Sequence, residues 1–273
     1  MQKVDSSARP FRFESYGVRI EISGNDQDVI DHAEAVSRKS LLGNIRQVKS
    51  NKIDHTIELQ RTEGGTFRLI RDGERLASGR SKKKFFKFFD GVVRITVGEF
   101  AVDRVFMHAG AVGWKGNAIV MPGDSFKGKS TLVAELVRNG AEYYSDDFAI
   151  FDSQGLLHAF PRALAMRRDS EVYKEFTLTP EDLGGKTGIE PIPVGMILLT
   201  SYSAGASWKP RILTTGEGVM EMLPHVLSLR YRPDFSIEVL NKAAENAIIA
   251  SSLRGSAEEF VKILLNFVDK HEI

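Results

Sequence analysis

The chain contains no cysteine among its 273 residues. Without thiols there is no disulfide, no thiolate nucleophile, no iron–sulfur cluster and no cysteine-ligated zinc. Net charge is also nearly absent, because 37 Lys and Arg oppose 36 Asp and Glu and leave +1. Such a balance disfavours bulk electrostatic binding to nucleic acid or to an anionic membrane. We therefore expect neither of these partners.

Long apolar runs are missing as well. A membrane-spanning helix needs about 20 consecutive apolar residues, whereas the best run covers only 194–199 and is typical of a buried strand. The segment 1–5 has no apolar signal core. Because 42% of the residues are apolar, an ordinary globular share, we expect a folded protein. The absence of cysteine fits a protein of the cytoplasm, which is where we expect it to reside.

The chain is longer than one average domain, since about 150 residues per domain gives roughly two. The sequence changes character near residue 104, where strands, tight turns and a glycine-rich loop begin to alternate with helices. We therefore expect an α/β protein with a smaller N-terminal α+β part, residues 1–103, and a larger part, residues 104–273.

Hydrophobic periodicity predicts the main elements. The predicted elements are a strand over 11–23, a helix over 27–38, a hairpin of 55–62 and 67–72, a helix over 81–101, a β-rich stretch over 141–152, strands at 193–200 and around 207–214, and helices near 236–251 and 256–269.

Residues 123–130 (GDSFKGKS) fit the pattern G-x-x-x-x-G-K-S/T of a phosphate-binding loop. An apolar strand at 117–121 precedes it and a helix at 131–139 follows it, which is the setting that this loop requires. Backbone amides, the helix dipole and the charge of Lys129 then converge on an anion. The Ser130 hydroxyl can ligate Mg²⁺. The predicted phosphate contacts are Gly123, Asp124, Ser125, Phe126, Lys127, Gly128, Lys129, Ser130 and Thr131.

Two adjacent carboxylates, Asp146 and Asp147, follow the loop within the β-rich stretch. Adjacent side chains of a strand point to opposite faces, so we expect the two carboxylates to differ in role. One would approach Mg²⁺ and the other an incoming hydroxyl. The alternation along a strand leaves open which of the two carboxylates binds Mg²⁺ and which faces the hydroxyl.

Two basic residues flank this region. His108 lies in an apolar strand, where a histidine is more often a core residue than a functional one. Arg162, followed by Arg167 and Arg168, is a candidate for contact with a transferring phosphoryl group, although such arginines are more often surface ion-pair partners.

The order of His108, the loop at 123–130, the Asp146–Asp147 pair and Phe-Pro-Arg at 160–162 resembles the kinase domain of the HPr kinase/phosphorylase family. That family shares its nucleotide-binding core with phosphoenolpyruvate carboxykinase. The match is strongest over 105–167 and is similar to a bacterial HPr-kinase-like group of undefined function. The resemblance implies a phosphoenolpyruvate carboxykinase-like P-loop kinase domain at 104–273.

The resemblance also implies roles for the site residues. Lys129 and the loop amides would hold the β- and γ-phosphates of ATP, and Ser130 and Asp147 would hold Mg²⁺. Asp146 would be the general base toward the acceptor hydroxyl. His108 would lie beside the phosphates or the metal.

The sequence departs from the family pattern at two loop positions. Phe126 stands where a glycine is usual, and Thr131 stands where HPr kinases carry an acid. The second signature, tied to phosphorolysis, is not found, so neither reversal by phosphorolysis nor HPr as substrate is expected. The Phe126 ring would clash beneath the phosphates, and we expect it to turn outward, toward the acceptor or toward the N-terminal part.

The sequence therefore predicts an ATP- and Mg²⁺-dependent kinase that transfers a phosphoryl group to a hydroxyl, with serine of a protein or peptide as the favoured acceptor. A small-molecule kinase and a nucleotide-binding regulatory protein without turnover are the alternatives. Assembly as a homo-oligomer is left open.

Overall fold

The computed structural model describes residues 8–124, 127–167 and 175–271. The chain is a mixed α/β protein that divides into two compact units, Met1–Asp103 and Arg104–Ile273. In the described residues, no helix combines the length and the apolar character needed to cross a bilayer.

The first unit is a sheet packed against two helices. Its elements are β1 (Phe11–Ser15), β2 (Val18–Gly24), α1 (Gln27–Ser40), β3 (Arg46–Gln47), β4 (His55–Arg61), β5 (Phe67–Arg71), β6 (Glu74–Gly79) and α2 (Lys82–Phe100). The strand order is β3-β1-β2-β4-β5-β6. Only the pairing of β2 with β4 is parallel among the described strands of this sheet, and α1 makes that crossover. The predicted helices and the predicted β4–β5 hairpin are confirmed.

The prediction of a single strand over 11–23 is wrong, because the chain reverses at Tyr16 and Gly17. Both residues have positive φ, 48° and 79°, as a tight two-residue hairpin turn requires. The buried positions also change parity across the turn, from Phe11 and Phe13 to Val18. That change of parity marks two strands rather than one.

The second unit is a larger sheet with helices on both faces. Its elements are β7 (Arg104–Trp114), β8 (Asn117–Pro122), α3 (Lys129–Arg138), β9 (Glu142–Ser145), β10 (Phe148–Asp152), β11 (Leu157–His158), β12 (Leu164–Arg167), β13 (Glu175–Leu178), β14 (Val194–Tyr202), β15 (Arg211–Ile212), α4 (Thr215–Met222), α5 (Pro233–Ala244), β16 (Ile248–Arg254) and α6 (Ala257–Lys270). The strand order is β11-β10-β7-β8-β14-β16-β15, β9 also pairs with β7, and β12 and β13 form a separate ribbon.

Two apolar clusters form the core of this unit, one on each face of the sheet. Side chains of α3 and α6 pack in one cluster, and side chains of α4 and α5 pack in the other. Strands β8, β14 and β16 run parallel, so their carboxyl ends meet at one edge. Open α/β sheets bind ligands at that edge.

The prediction of a helix near 236–251 is wrong over its second half. Helix α5 ends at Ala244, and the chain then enters β16, which lies between β14 and β15. Ile249 and Ala250 are buried in this strand, one in each cluster. A strand buried on both faces has a continuous apolar run that helical periodicity does not separate from a helix. The strand predicted around 207–214 is limited to Arg211–Ile212.

Candidate functional site

The glycine-rich loop connects β8 to α3, as the sequence predicts. Gly123 has a φ of 152°, and its amide donates to the His108 carbonyl at 3.3 Å. Gly128, the residue before α3, has a φ of 80°, a left-handed conformation that favours glycine. The loop therefore begins fastened to β7 and ends with the backbone turned into the helix N-terminus, where amides are available to an anion.

Lys129 is held inside the loop, with only 9% of its surface exposed. Its Nζ donates to the Asp124 carbonyl at 2.6 Å. Desolvation lowers the pKa of this amine, and the charges of Asp146 and Asp124 oppose that effect. The cation is therefore bound to a neutral carbonyl of its own loop and lies close to carboxylates without being neutralised by an ion pair.

Asp146 lies beside Ser130 and Lys129. Burial raises the pKa of its carboxyl to about 7, whereas interaction with the Ser130 hydroxyl, the charge of Lys129 and the amide of Ala165 act in the opposite direction. Oδ1 of Asp146 is buried and has no hydrogen-bond partner among the residues that the structure describes. Burying an unpaired carboxylate oxygen is costly, so this atom is available to a cation that enters the site.

Asp147 has a different environment. Its side chain is 27% exposed, and its Oδ2 lies 3.9 Å from Nε of Arg162. Its backbone carbonyl lies 3.0 Å from Nδ1 of His108. His108 thus contacts the loop through its own backbone carbonyl and the backbone of Asp147 through its ring, so it links the two parts of the site.

The sequence predicts that the two carboxylates differ because they alternate along one strand, and that reason is wrong. Asp146 and Asp147 do not alternate within one strand, because they form a bend between β9 and β10. Both strands pair with β7, where Ser145 lies opposite Ala111 and Phe148 lies opposite His108. The two aspartates therefore interrupt the line of strand pairing along β7. The bend, rather than the alternation of side chains along a strand, gives them separate surroundings.

The residues present suit Mg²⁺. In the described ranges, no group of three His, Cys, Asp or Glu side chains could form a metal centre by itself. Mg²⁺ bound with phosphates commonly uses only one or two protein carboxylates. The partnerless Oδ1 of Asp146 and the neighbouring Ser130 hydroxyl form such a partial ligand set.

A cavity of about 370 Å³ lies beside the loop at the carboxyl ends of β8, β14 and β16. Its lining includes Asp124, Leu199, Ser201, Glu221, His225 and Ser252. Nδ1 of His225 lies 3.5 Å from Oδ1 of Asp124. Burial lowers the pKa of this imidazole, with the Asp124 charge acting against it. The sequence analysis singled out none of these residues except Asp124, because they become neighbours only when β14, α4 and β16 assemble.

Arg254, at the end of β16, is a further buried residue at the loop, with 2% of its surface exposed. Its Nη2 donates to the Gly128 carbonyl at 2.8 Å, and its Nη1 donates to the Gly255 carbonyl at 3.0 Å. It is 126 positions from Gly128, so local sequence carries no signal of this contact.

Other predicted site residues are exposed at the loop or lie outside the described residues, and their contacts with phosphate stay predictions. Thr131 is exposed in the first turn of α3, and Lys127 is exposed in the loop. Ser125, Phe126 and Arg168 lie outside the described residues, so the orientation expected for the Phe126 ring stays a prediction.

No protein-family model matches the chain, and no curated protein matches it. Among solved structures, the chain is similar to the Hpr(Ser) kinase/phosphatase from Coxiella burnetii. That comparison covers 62% of this chain and 99% of the other, at 12% identity and a TM-score of 0.34. The similarity describes a distant structural relationship.

Proposed function

We propose that the chain binds ATP with Mg²⁺ at residues 123–131 and transfers the terminal phosphoryl group to a hydroxyl. The observation that carries this proposal is the buried, partnerless Oδ1 of Asp146 beside Ser130 and Lys129. A glycine turn without a ligand would have no need of a desolvated carboxylate, a buried lysine and a hydroxyl within one cluster. Perturbed ionisable groups of this kind concentrate at functional sites.

The surroundings of the two aspartates favour the reverse of the roles that the family resemblance implies. Ser130 and Asp146 would hold Mg²⁺, since P-loop proteins use the loop hydroxyl together with one aspartate for this purpose. Bound there, Mg²⁺ would neutralise charge on the phosphates. Asp147 is more accessible and would accept the proton of the acceptor hydroxyl. Arg162 would orient Asp147 and offer charge to the transferring group.

The proposed transfer forms one bond to the γ-phosphorus and breaks another. The acceptor oxygen forms a bond to the γ-phosphorus as the bond to the β,γ-bridging oxygen breaks, and ADP leaves. The acceptor proton passes to the Asp147 carboxylate. Lys129 turns from the Asp124 carbonyl toward the phosphates, where its charge stabilises the negative charge in transfer.

Two acceptor classes follow from the site. Serine of a protein or peptide is the first proposal. A small-molecule hydroxyl is the second, and the cavity of about 370 Å³ beside the loop, lined by hydroxyls, carboxylates and an imidazole, favours it. Labelled γ-phosphate from ATP would appear in the protein fraction of a lysate in the first case and in its dialysable fraction in the second. Label in neither fraction, with ATP bound, would leave the regulatory protein without turnover as the function.

Lys129→Ala tests the nucleotide site. A charge-assisted hydrogen bond contributes about 1.5–3 kcal/mol, so we expect Mg·ATP affinity to fall about 10- to 100-fold. Thermal stabilisation by Mg·ATP reports the loss, since a ligand at about 100 times its Kd adds about 2.7 kcal/mol. Lys262→Ala, on the exposed side of α6, is the matched control and should keep the full shift. Undiminished stabilisation of the Lys129 variant would remove the site assignment.

A further inference from the structure

Arg254 is a buried cation that has no carboxylate partner in the described part of the chain. Its guanidinium donates to two carbonyls, its Nε is buried without any hydrogen-bond partner, and the Tyr202 ring lies 6.0 Å from Cζ. Desolvation lowers the pKa of the guanidinium, and in the described residues no carboxylate offsets that effect. A buried charge normally has a paired counterion. Among the described residues Arg254 has no such counterion, and we attribute this to its place at the loop rather than to the packing of the core.

The contact with Gly128 fixes the end of the loop. The Gly128 carbonyl accepts from Arg254 and also from the amide of Leu132, at 3.1 Å, in the first turn of α3. Two donors on one carbonyl restrict rotation of the peptide group between Gly128 and Lys129. A Cβ built at Gly128 would lie 2.8 Å from Nη2 of Arg254, so the contact also requires glycine here. Fixing this peptide directs its amide toward the anion side of the loop.

We infer that Arg254 is a positioning residue that sets the loop for phosphate and supplies it with a fixed positive charge. Its counterion would be the phosphate chain of the nucleotide, which acts across the loop rather than by direct contact. This inference rests on the proposed function, because it concerns the same phosphate site. Beyond the proposed function, it assigns part of the affinity for the phosphates to a residue of β16, which lies outside the loop.

The charge role predicts a dependence on the number of phosphates. Replacing Arg254 by methionine keeps an unbranched apolar side chain that packs like the arginine stem and removes the guanidinium with its charge. We expect the Kd for Mg²⁺-bound tripolyphosphate and ATP to rise about ten-fold, which corresponds to about 1.4 kcal/mol. We expect a smaller change for ADP and less than about a two-fold change for AMP, because the Coulomb energy falls with distance and AMP lacks the β- and γ-phosphates that the loop would hold next to Arg254. The Kd of the Arg254→Lys variant should lie between those of the methionine variant and the unsubstituted chain, since lysine keeps the charge but cannot donate to both carbonyls in the same way.

Isothermal titration calorimetry with tripolyphosphate, ATP, ADP and AMP measures this series, and the thermal midpoint without ligand is measured in parallel. Arg138→Met, at the opposite end of α3, removes one exposed charge from the same unit and is the control. A ligand-free midpoint equal to or above that of the unsubstituted chain, with weakened polyphosphate binding, supports the inference. This pattern is expected because removal of the desolvated, unpaired charge offsets the loss of its two hydrogen bonds to carbonyls.

Two results would overturn it. If the methionine variant binds all four ligands as tightly as the unsubstituted chain, Arg254 has no role in phosphate binding and the proposed function stands. If affinity falls equally for AMP and ATP, the residue is structural only. A chain that binds tripolyphosphate through Arg254 yet transfers nothing would overturn the proposed transfer and keep the inference.

Discussion

Charged groups in the two units are satisfied in different ways. In the first unit, Glu14 accepts from Arg19 at 3.1 Å and from Arg46 at 2.8 Å, and hydrogen bonding to Arg46 and Arg19 holds the pKa of its carboxyl low. In the second unit, burial raises the pKa of the Asp146 carboxyl to about 7, and Arg254 has carbonyls in place of a carboxylate. Among the described residues, Glu14 is held by two arginines, whereas desolvation outweighs the charge of Lys129 at Asp146 and no carboxylate pairs with Arg254.

The same contrast holds for arginines alone. Arg94, on α2, is little exposed and pairs with Asp90 one turn away at 2.8 Å. Arg254 is more deeply buried and pairs with no described carboxylate. In our proposal, the phosphates of the nucleotide take the place that a carboxylate has beside Arg94.

The largest expected effect separates the two aspartates. Asp147→Asn should leave the Mg·ATP Kd within about three-fold and reduce the transfer rate about 10²- to 10⁴-fold, the range of a general base. Asp146→Asn should weaken Mg²⁺-dependent ATP binding and leave Mg²⁺-independent binding unchanged. Single-turnover transfer and calorimetry with and without Mg²⁺ measure the two. Exchanged phenotypes would restore the assignment that the family resemblance implies, and equal loss of binding in both variants would contradict any division of roles.

An intermediate effect concerns the stability of the ligand-free chain. Because the folded-state pKa of Asp146 is raised from 3.8 to about 7, the folded chain holds a proton that the unfolded chain has released. The free energy of unfolding therefore falls as pH rises from about 4 to about 7, and the full penalty remains above pH 7. The Asp146→Asn side chain carries no charge at any pH, so this variant should be more stable at pH 8 by about 4 kcal/mol, since each pKa unit corresponds to about 1.4 kcal/mol.

Urea unfolding at pH 5 and pH 8 measures this effect. Below pH 5 the two chains should agree closely, because the native carboxyl is protonated there as well. Asp152→Asn is the contrasting control, since bonds from His158 and nearby amides keep the pKa of the Asp152 carboxyl low despite its desolvation. That change should destabilise the chain at pH 8. A loss of stability in the Asp146 variant at pH 8 would show that its carboxylate is well satisfied after all.

Local sequence predicts the loop, and long-range pairing determines the rest of the site. The spacing of Gly123, Gly128 and Lys129 lies within eight residues, so the motif could be recognised directly. Asp146 was recognised as a candidate, but its bend was not, because the interruption depends on how β9 and β10 pair with β7. Arg254 is not among the predicted site residues, since the pattern predicts a helix to residue 251 over the first half of β16 and gives no strand that would carry Arg254 to the loop.

The smallest expected effect tests the satisfied side of the comparison. Glu14→Gln removes the charge that Arg19 and Arg46 share on the exposed face of β1. Exposed ion pairs contribute about 0–1 kcal/mol, so the loss at pH 7 should stay within that range. Because the pKa of Glu14 is lowered on folding, its contribution is present above the unfolded value and is lost as pH falls through the folded value. Urea unfolding at pH 7 and pH 3 should therefore show a small difference that shrinks at pH 3 and in high salt. A loss well above 1 kcal/mol, or one that grows at low pH, would mean that the charges of the first unit are as finely balanced as those around the loop, and the contrast between the units would no longer mark the functional site.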